Sequence, residues 1–137
     1  MRYLVDANVL SEPTKKLPNA KVVEWLRDNE REIAVDPIIL GELRFGIPLL
    51  RNGRRRTRLE RWFDAGVRRL RCLPWEAETG LRWAQLLAGL RTAGRAMPIK
   101  DSLIAATALV HGLTVVTRNR VDSRRLASPL STPSSDP

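Results

Sequence analysis

The sequence predicts an α/β fold built on a parallel sheet, and two patterns carry that expectation. Short apolar runs alternate with helical stretches, which is the order that strand-helix-strand units require. Polar residues recur where those runs stop, as in Tyr3-Leu4-Val5-Asp6 and Val115-Val116-Thr117-Arg118-Asn119, and that is where an open parallel sheet presents its ligand-binding edge.

The elements follow in order. Strands are expected at about 2–6, 32–36, 70–74 and 114–118. The first sizeable helix, about 19–30, follows Pro18 and Asn19 and places Val22, Val23, Trp25 and Leu26 largely on one side. A second starts at Asp36-Pro37, an N-cap followed by proline in the first helical position, and buries Ile39, Leu40, Leu43 and Ile47 before Pro48 ends or kinks it. After the turn at Asn52-Gly53, the stretch Arg54 to Leu70 reads as one helix, with Leu59, Trp62, Phe63, Val67 and Leu70 beneath an arginine-rich face. Helices at about 76–93 and 101–111 are separated by Gly94 and Pro98, and Gly112 provides a left-handed cap before the last strand. His111 falls where a helix C-terminus favours it.

One domain is expected over 1–127, since 137 residues with 43% hydrophobic content suit one core. The stretch 128–137 holds three prolines, four serines and a single large aliphatic residue, and is expected to be disordered because it buries too little apolar surface to offset ordering entropy. Twenty-four basic residues face 15 acidic ones, and the resulting +9 charge favours a polyanionic partner without naming it. No apolar run approaches the roughly 20 residues of a membrane span, and the N-terminus lacks a signal-peptide pattern, so a cytoplasmic location away from any membrane is expected. Cys72 is the only cysteine, which excludes an intrachain disulfide and a cysteine-based zinc site; it is expected as a buried strand residue.

The acids suggest chemistry. Asp6 ends the first strand, Glu42 lies in Gly41-Glu42-Leu43-Arg44-Phe45-Gly46, Asp101 opens the helix Ser102-Leu103-Ile104-Ala105-Ala106-Thr107-Ala108, and Asp122 with Asn119 follows the last strand. If they converge at one sheet edge, phosphodiester hydrolysis is the chemistry they suit. Magnesium takes hard oxygen ligands, keeps several waters, and needs few carboxylates to sit against a substrate phosphate. Each acid also has a plainer explanation. Asp101 is a good helix cap, Asp6 could cap or end the first loop, Glu42 could pair with Arg44, and Asp122 lies among Arg118, Arg120, Arg124 and Arg125. Order and spacing together favour the convergent reading.

Those blocks, with Val5-Asp6-Ala7-Asn8-Val9-Leu10-Ser11-Glu12 at the start and Val116-Thr117-Arg118-Asn119 near the end, resemble the PIN-domain ribonucleases, and within them the VapC-type toxins of bacterial toxin–antitoxin pairs. The resemblance covers roughly residues 1–122. It implies a three-layer fold with a parallel sheet of four to five strands flanked by helices. It further implies Mg2+ or Mn2+ at the acidic cluster, endonucleolytic cleavage of RNA, and a toxin homodimer held inactive by a cognate antitoxin. Carried over by position, Asp6, Glu42 and Asp101 are the expected metal-site acids, with Asp122 as the fourth catalytic acid. Asn8, Thr117 and Asn119 are expected to orient carboxylates and waters. The chain departs from the family after Asn119, where no final strand is legible in Val121-Asp122-Ser123-Arg124-Arg125 and the tail that follows.

Nine arginines lie between Arg51 and Arg71 against Glu60 and Asp64. A solvated face is the ordinary explanation; Arg54, Arg55, Arg56 and Arg58 are the candidates for phosphate contacts with RNA, and an acidic or amphipathic antitoxin segment is a third possibility. The leading function is thus a metal-dependent endoribonuclease toxin. The alternative is a catalytically weakened or silent relative that binds RNA or an antitoxin. Phosphoryl transfer through an aspartyl intermediate is disfavoured, because Asp6-Ala7-Asn8 lacks the nearby second acid such chemistry uses as proton donor.

Overall fold

Strands buried on both faces need near-continuous apolar sequence, and the three inner strands of this protein have it. The computed structural model describes residues 1–118 together with Leu130 and Ser131. Five parallel strands, β1 (Tyr3–Val5), β2 (Ile33–Val35), β3 (Arg71–Cys72), β4 (Thr114–Val116) and β5 (Leu130–Ser131), form one sheet in the order β3-β2-β1-β4-β5. Central β1 aligns Leu4 with Ala34 on one side and with Val115 on the other. The chain leaves β1 toward β2 and β3, then crosses back to β4. With right-handed crossovers, that reversal puts helices on both faces and opens a crevice beyond the carboxyl end of β1.

The helices are α1 (Ala7–Leu10), α2 (Ala20–Asp28), α3 (Pro37–Phe45), α4 (Arg54–Ala65), α5 (Ala77–Thr92) and α6 (Ile99–His111). Asn19 caps α2 by accepting from the Lys21 and Val22 amides, and Asp36 caps α3 by accepting from Ile39 N at 2.9 Å. Gly112, at φ 66°, ends α6 in the left-handed region, as its position before β4 requires. The core joins Leu4, Val5, Val9, Val22, Val35, Ile39, Phe63, Ile104 and Val116, and Leu59, Trp62 and Leu70 pack against it part-buried.

Four expectations need correction. The helix read from Arg54 to Leu70 stops at Ala65. Gly66 N–H still bonds Trp62 O, but the chain then tightens into a 3-10 turn at Val67–Arg69, so the apolar stripe is shared between two pieces. The strand read at 70–74 shortens to Arg71–Cys72, followed by one further bond from Leu73 N to Val35 O. Cys72 is exposed rather than buried, because β3 is an outer strand of the sheet and the residue that enters the core there is Leu73. Finally, the stretch expected to be disordered pairs at Leu130 and Ser131 with Val115 and Val116, forming a fifth strand. Edge pairing uses backbone groups and needs no apolar pattern, which is why the Ser/Pro composition concealed it. The rest of 119–137, including Asn119 and Asp122, lies outside the described residues.

Candidate metal and nucleic-acid site

Asp6 is placed by three local bonds. Its backbone N–H donates to Val116 O at 2.9 Å, fixing it at the end of β1. Its Oδ1 accepts from Ala7 N at 2.7 Å as the cap of α1, and its Oδ2 accepts from Thr117 Oγ1 at 3.2 Å. The side chain is buried, and burial raises its carboxyl above the usual aspartate value. The Glu42 charge raises it further, against the Ala7 amide, Thr117 and Lys100, which favour the ionised form. Thr117, the residue that follows β4, thus hydrogen-bonds the Asp6 carboxylate.

Glu42 reaches the same crevice from α3, where it and the exposed Asn8 line one groove. Its partner is not Arg44, which pairs with Glu60 at 3.7 Å, but Lys100, whose Nζ lies 2.6 Å from Glu42 Oε2. Asp101 is not the cap of its helix either. The helix begins two residues earlier, with Pro98 in the cap position, so Asp101 sits in the first turn, half-buried, where the helix dipole favours a negative charge. The close contact with Glu42 raises the Lys100 ammonium above the usual lysine value, and the charges of Asp6 and Asp101 act in the same sense against partial burial. Lys100 Nζ thus contacts Glu42 directly and also feels the charges of Asp6 and Asp101.

Among the described residues no three His, Cys, Asp or Glu side chains close into a ready-made metal cage. Magnesium and manganese do not require one: hard oxygen donors from one or two carboxylates, completed by waters and a substrate phosphate, are their usual setting. Asp6 and Glu42, with Asp101 nearby, supply that donor type in a field that already holds a positive group, so the residues fit a hydrated divalent ion.

A groove runs from this crevice between α1, α3 and α4, lined by Asn8, Glu42, Ile47, Arg55, Leu59 and Trp62. Arg54, Arg55 and Arg58 are exposed on α4, and of these Arg55 lines the groove. Arg56 differs from them: its Nη1 donates to Asn52 Oδ1 at 3.0 Å and to Leu50 O at 3.4 Å, and its Nε lies 3.8 Å from Glu60.

A model of the PIN domain matches residues 3–127. The chain belongs to the PIN-domain family. This PIN domain is 37% identical to the toxin FitB of Neisseria gonorrhoeae over 120 residues, covering 85% of this chain and 86% of that protein. It is 33% identical to VapC ribonuclease Y4jK of Sinorhizobium fredii, over the same shares of each chain. The crystal structure of FitAcB from Neisseria gonorrhoeae superposes with a TM-score of 0.91 at 32% identity, covering 98% of this chain and 99% of that one. Among the described residues no helix is long and apolar enough to cross a membrane.

Two features of this PIN domain are not legible as site residues in the sequence. Lys100 precedes Asp101 in a loop-like stretch, and its one signal is a positive charge next to an expected metal acid. Glu12 stands in the sequence only as the end of the first motif, yet it is 2% exposed. It accepts from Asn19 N at 2.9 Å, lies 3.0 Å from Lys15 Nζ and accepts from Arg118 Nη1. Burial opposes its charge, but those partners outweigh it and hold its carboxyl below the usual glutamate value. Glu12 ties the segment after α1 to the residue that follows Thr117, and so braces the strand ends that carry Asp6.

Proposed function

We propose that this protein is the endoribonuclease toxin of a toxin–antitoxin pair, acting in the cytoplasm as a homodimer and dependent on Mg2+ or Mn2+. The observation that carries the reading is the buried Asp6 at the carboxyl end of the central strand, charge-coupled to Glu42. A VapC ribonuclease and a toxin are among the relatives that share most of the chain.

Asp6, Glu42 and Asp101 are the residues that would hold the ion, and Asp122 is the proposed fourth acid. When bound, the ion supplies charge neutralisation at the scissile phosphate and acidification of a water. The protein does the rest. Thr117 fixes the Asp6 carboxylate through its hydroxyl hydrogen bond. Asn8, at the mouth of the groove beside Glu42, offers an amide to the substrate or a water, and Asn119 is proposed to serve the same edge. Arg54, Arg55 and Arg58 attract the phosphate backbone and steer the strand along the groove toward the acids. A cognate antitoxin would silence the enzyme by covering this surface.

The reading is tested by incubating the purified protein with RNA and following chain length. Cleavage that needs added Mg2+ or Mn2+, stops with a chelator and yields internal cuts is expected. RNA left intact at every metal concentration, with the protein folded, would overturn it.

A further inference from the structure

Three features stand outside the site as a nuclease uses it. The exposed arginines at the start of α4 line an open depression with Arg61 and belong to the basic surface already described, and Glu12 is fully engaged in bracing. Lys100 is neither. Its ammonium is 2.6 Å from Glu42 Oε2, its side chain remains half exposed, and Asp6 and Asp101 act on it as well as Glu42. A residue that only decorated the surface would not be placed where three acids share a field.

Two cations cannot share that position. A divalent ion bound by Glu42, even through the oxygen that Lys100 does not contact, would lie close to the ammonium, and at such separations like charges repel strongly even in a partly wet site. Entry of the ion therefore favours a Lys100 side chain that has swung away, and half its surface already faces solvent, so four rotatable bonds give it a path out. We propose that Lys100 is a tethered counter-ion of the acid cluster, which holds Glu42 until a divalent metal displaces it and thereby sets the metal affinity of this protein. The inference rests on the nuclease reading, since it takes Asp6 and Glu42 as metal-site acids. Its consequence is a centre in which Glu42 stays paired at low metal and the ion binds less tightly than it would to the acids alone.

The test is calorimetric titration of the full chain with MnCl2, with no RNA present. Lys100→Met should bind Mn2+ about fivefold more tightly than the parent, or better, which is the size expected for removing one half-exposed ion pair. Lys100→Arg keeps the charge and should stay close to the parent, which separates charge from packing. Equal or weaker binding by Lys100→Met, with measurable binding by the parent, overturns the tether and leaves the metal reading standing. A Lys100→Met variant that loses RNA affinity while its Mn2+ affinity is unchanged also overturns it, in favour of a phosphate contact. Absence of Mn2+ binding in all three proteins would overturn the tether and the metal reading together.

Discussion

Thr107 of α6 donates a 2.7 Å hydrogen bond to Asp36 Oδ2 at the head of α3, so the helices that carry Asp101 and Glu42 are locked by a contact both of whose side chains are fully buried. The other Asp36 oxygen caps α3 through Ile39 N, which leaves the carboxylate committed to both helices at once. Thr107→Val keeps the shape but removes the donor and strands a buried oxygen. It should destabilise the protein by about 1–3 kcal/mol in urea denaturation and weaken RNA cleavage with it. Unchanged stability would show that the clamp is not needed.

Asp6→Asn and Asp101→Asn should each reduce metal-dependent cleavage by about a hundredfold or more, because an amide is a poor ligand for a hard cation. Asp6→Asn should melt at or slightly above the parent temperature at neutral pH, since burial and Glu42 both oppose its ionisation in the folded protein. Full activity in either variant would remove that residue from the site.

The arginines of α4 should divide into two kinds. Replacing Arg54, Arg55 and Arg58 with alanine should leave the melting temperature unchanged but weaken RNA binding, lowering the salt slope by about 0.7 for each phosphate no longer neutralised. Arg56→Ala should instead cost about 0.5–1.5 kcal/mol of stability, because its guanidinium bonds Asn52 and Leu50 O within the chain. Equal effects on binding and stability at all four positions would contradict this division.

Glu12 makes stability depend on pH. Its folded carboxyl lies below the unfolded value, so its contribution is present above the unfolded value and lost as pH falls through the lowered one. Glu12→Gln should therefore be less stable than the parent by about 2 kcal/mol at neutral pH, with the gap closing in the acid range where the parent carboxyl is itself protonated. A gap that stays constant with pH would assign the loss to packing.

Removing residues 128–137 deletes β5 and leaves the outer edge of β4 unpaired. A fall in Tm of about 3 °C or more is expected once that pairing is gone, read by a thermal scan. A truncated chain that melts with the parent would show that the pairing of Leu130 and Ser131 contributes no stability.

The sheet was legible wherever burial was symmetrical. Tyr3–Val5, Ile33–Val35 and Thr114–Val116 are apolar runs flanked by polar ends, and such runs have few alternatives. The outer strands were harder, since Arg71–Cys72 and Leu130–Ser131 are held by backbone pairing that no side-chain pattern announces. At the candidate site, the position of Asp6 at the end of the first strand was legible from the strand end alone. The partners of Glu42 and Glu12 were not: Lys100 and Arg118 are 58 and 106 positions away, and which of 24 basic residues meets which acid is decided by the topology.

The position of β1 between β2 and β4 also governs when the centre can exist during synthesis. Asp6 is made almost at once, yet the carbonyl that holds its backbone belongs to Val116 and the hydroxyl that holds its side chain to Thr117. Chains emerge from the ribosome at about 5–20 residues per second, and the earlier strands can pair while the rest is still being assembled. Until Thr117 has been added, a growing chain carries its acids without the frame that aims them, so the ribosome finishes most of this protein before it has made a nuclease.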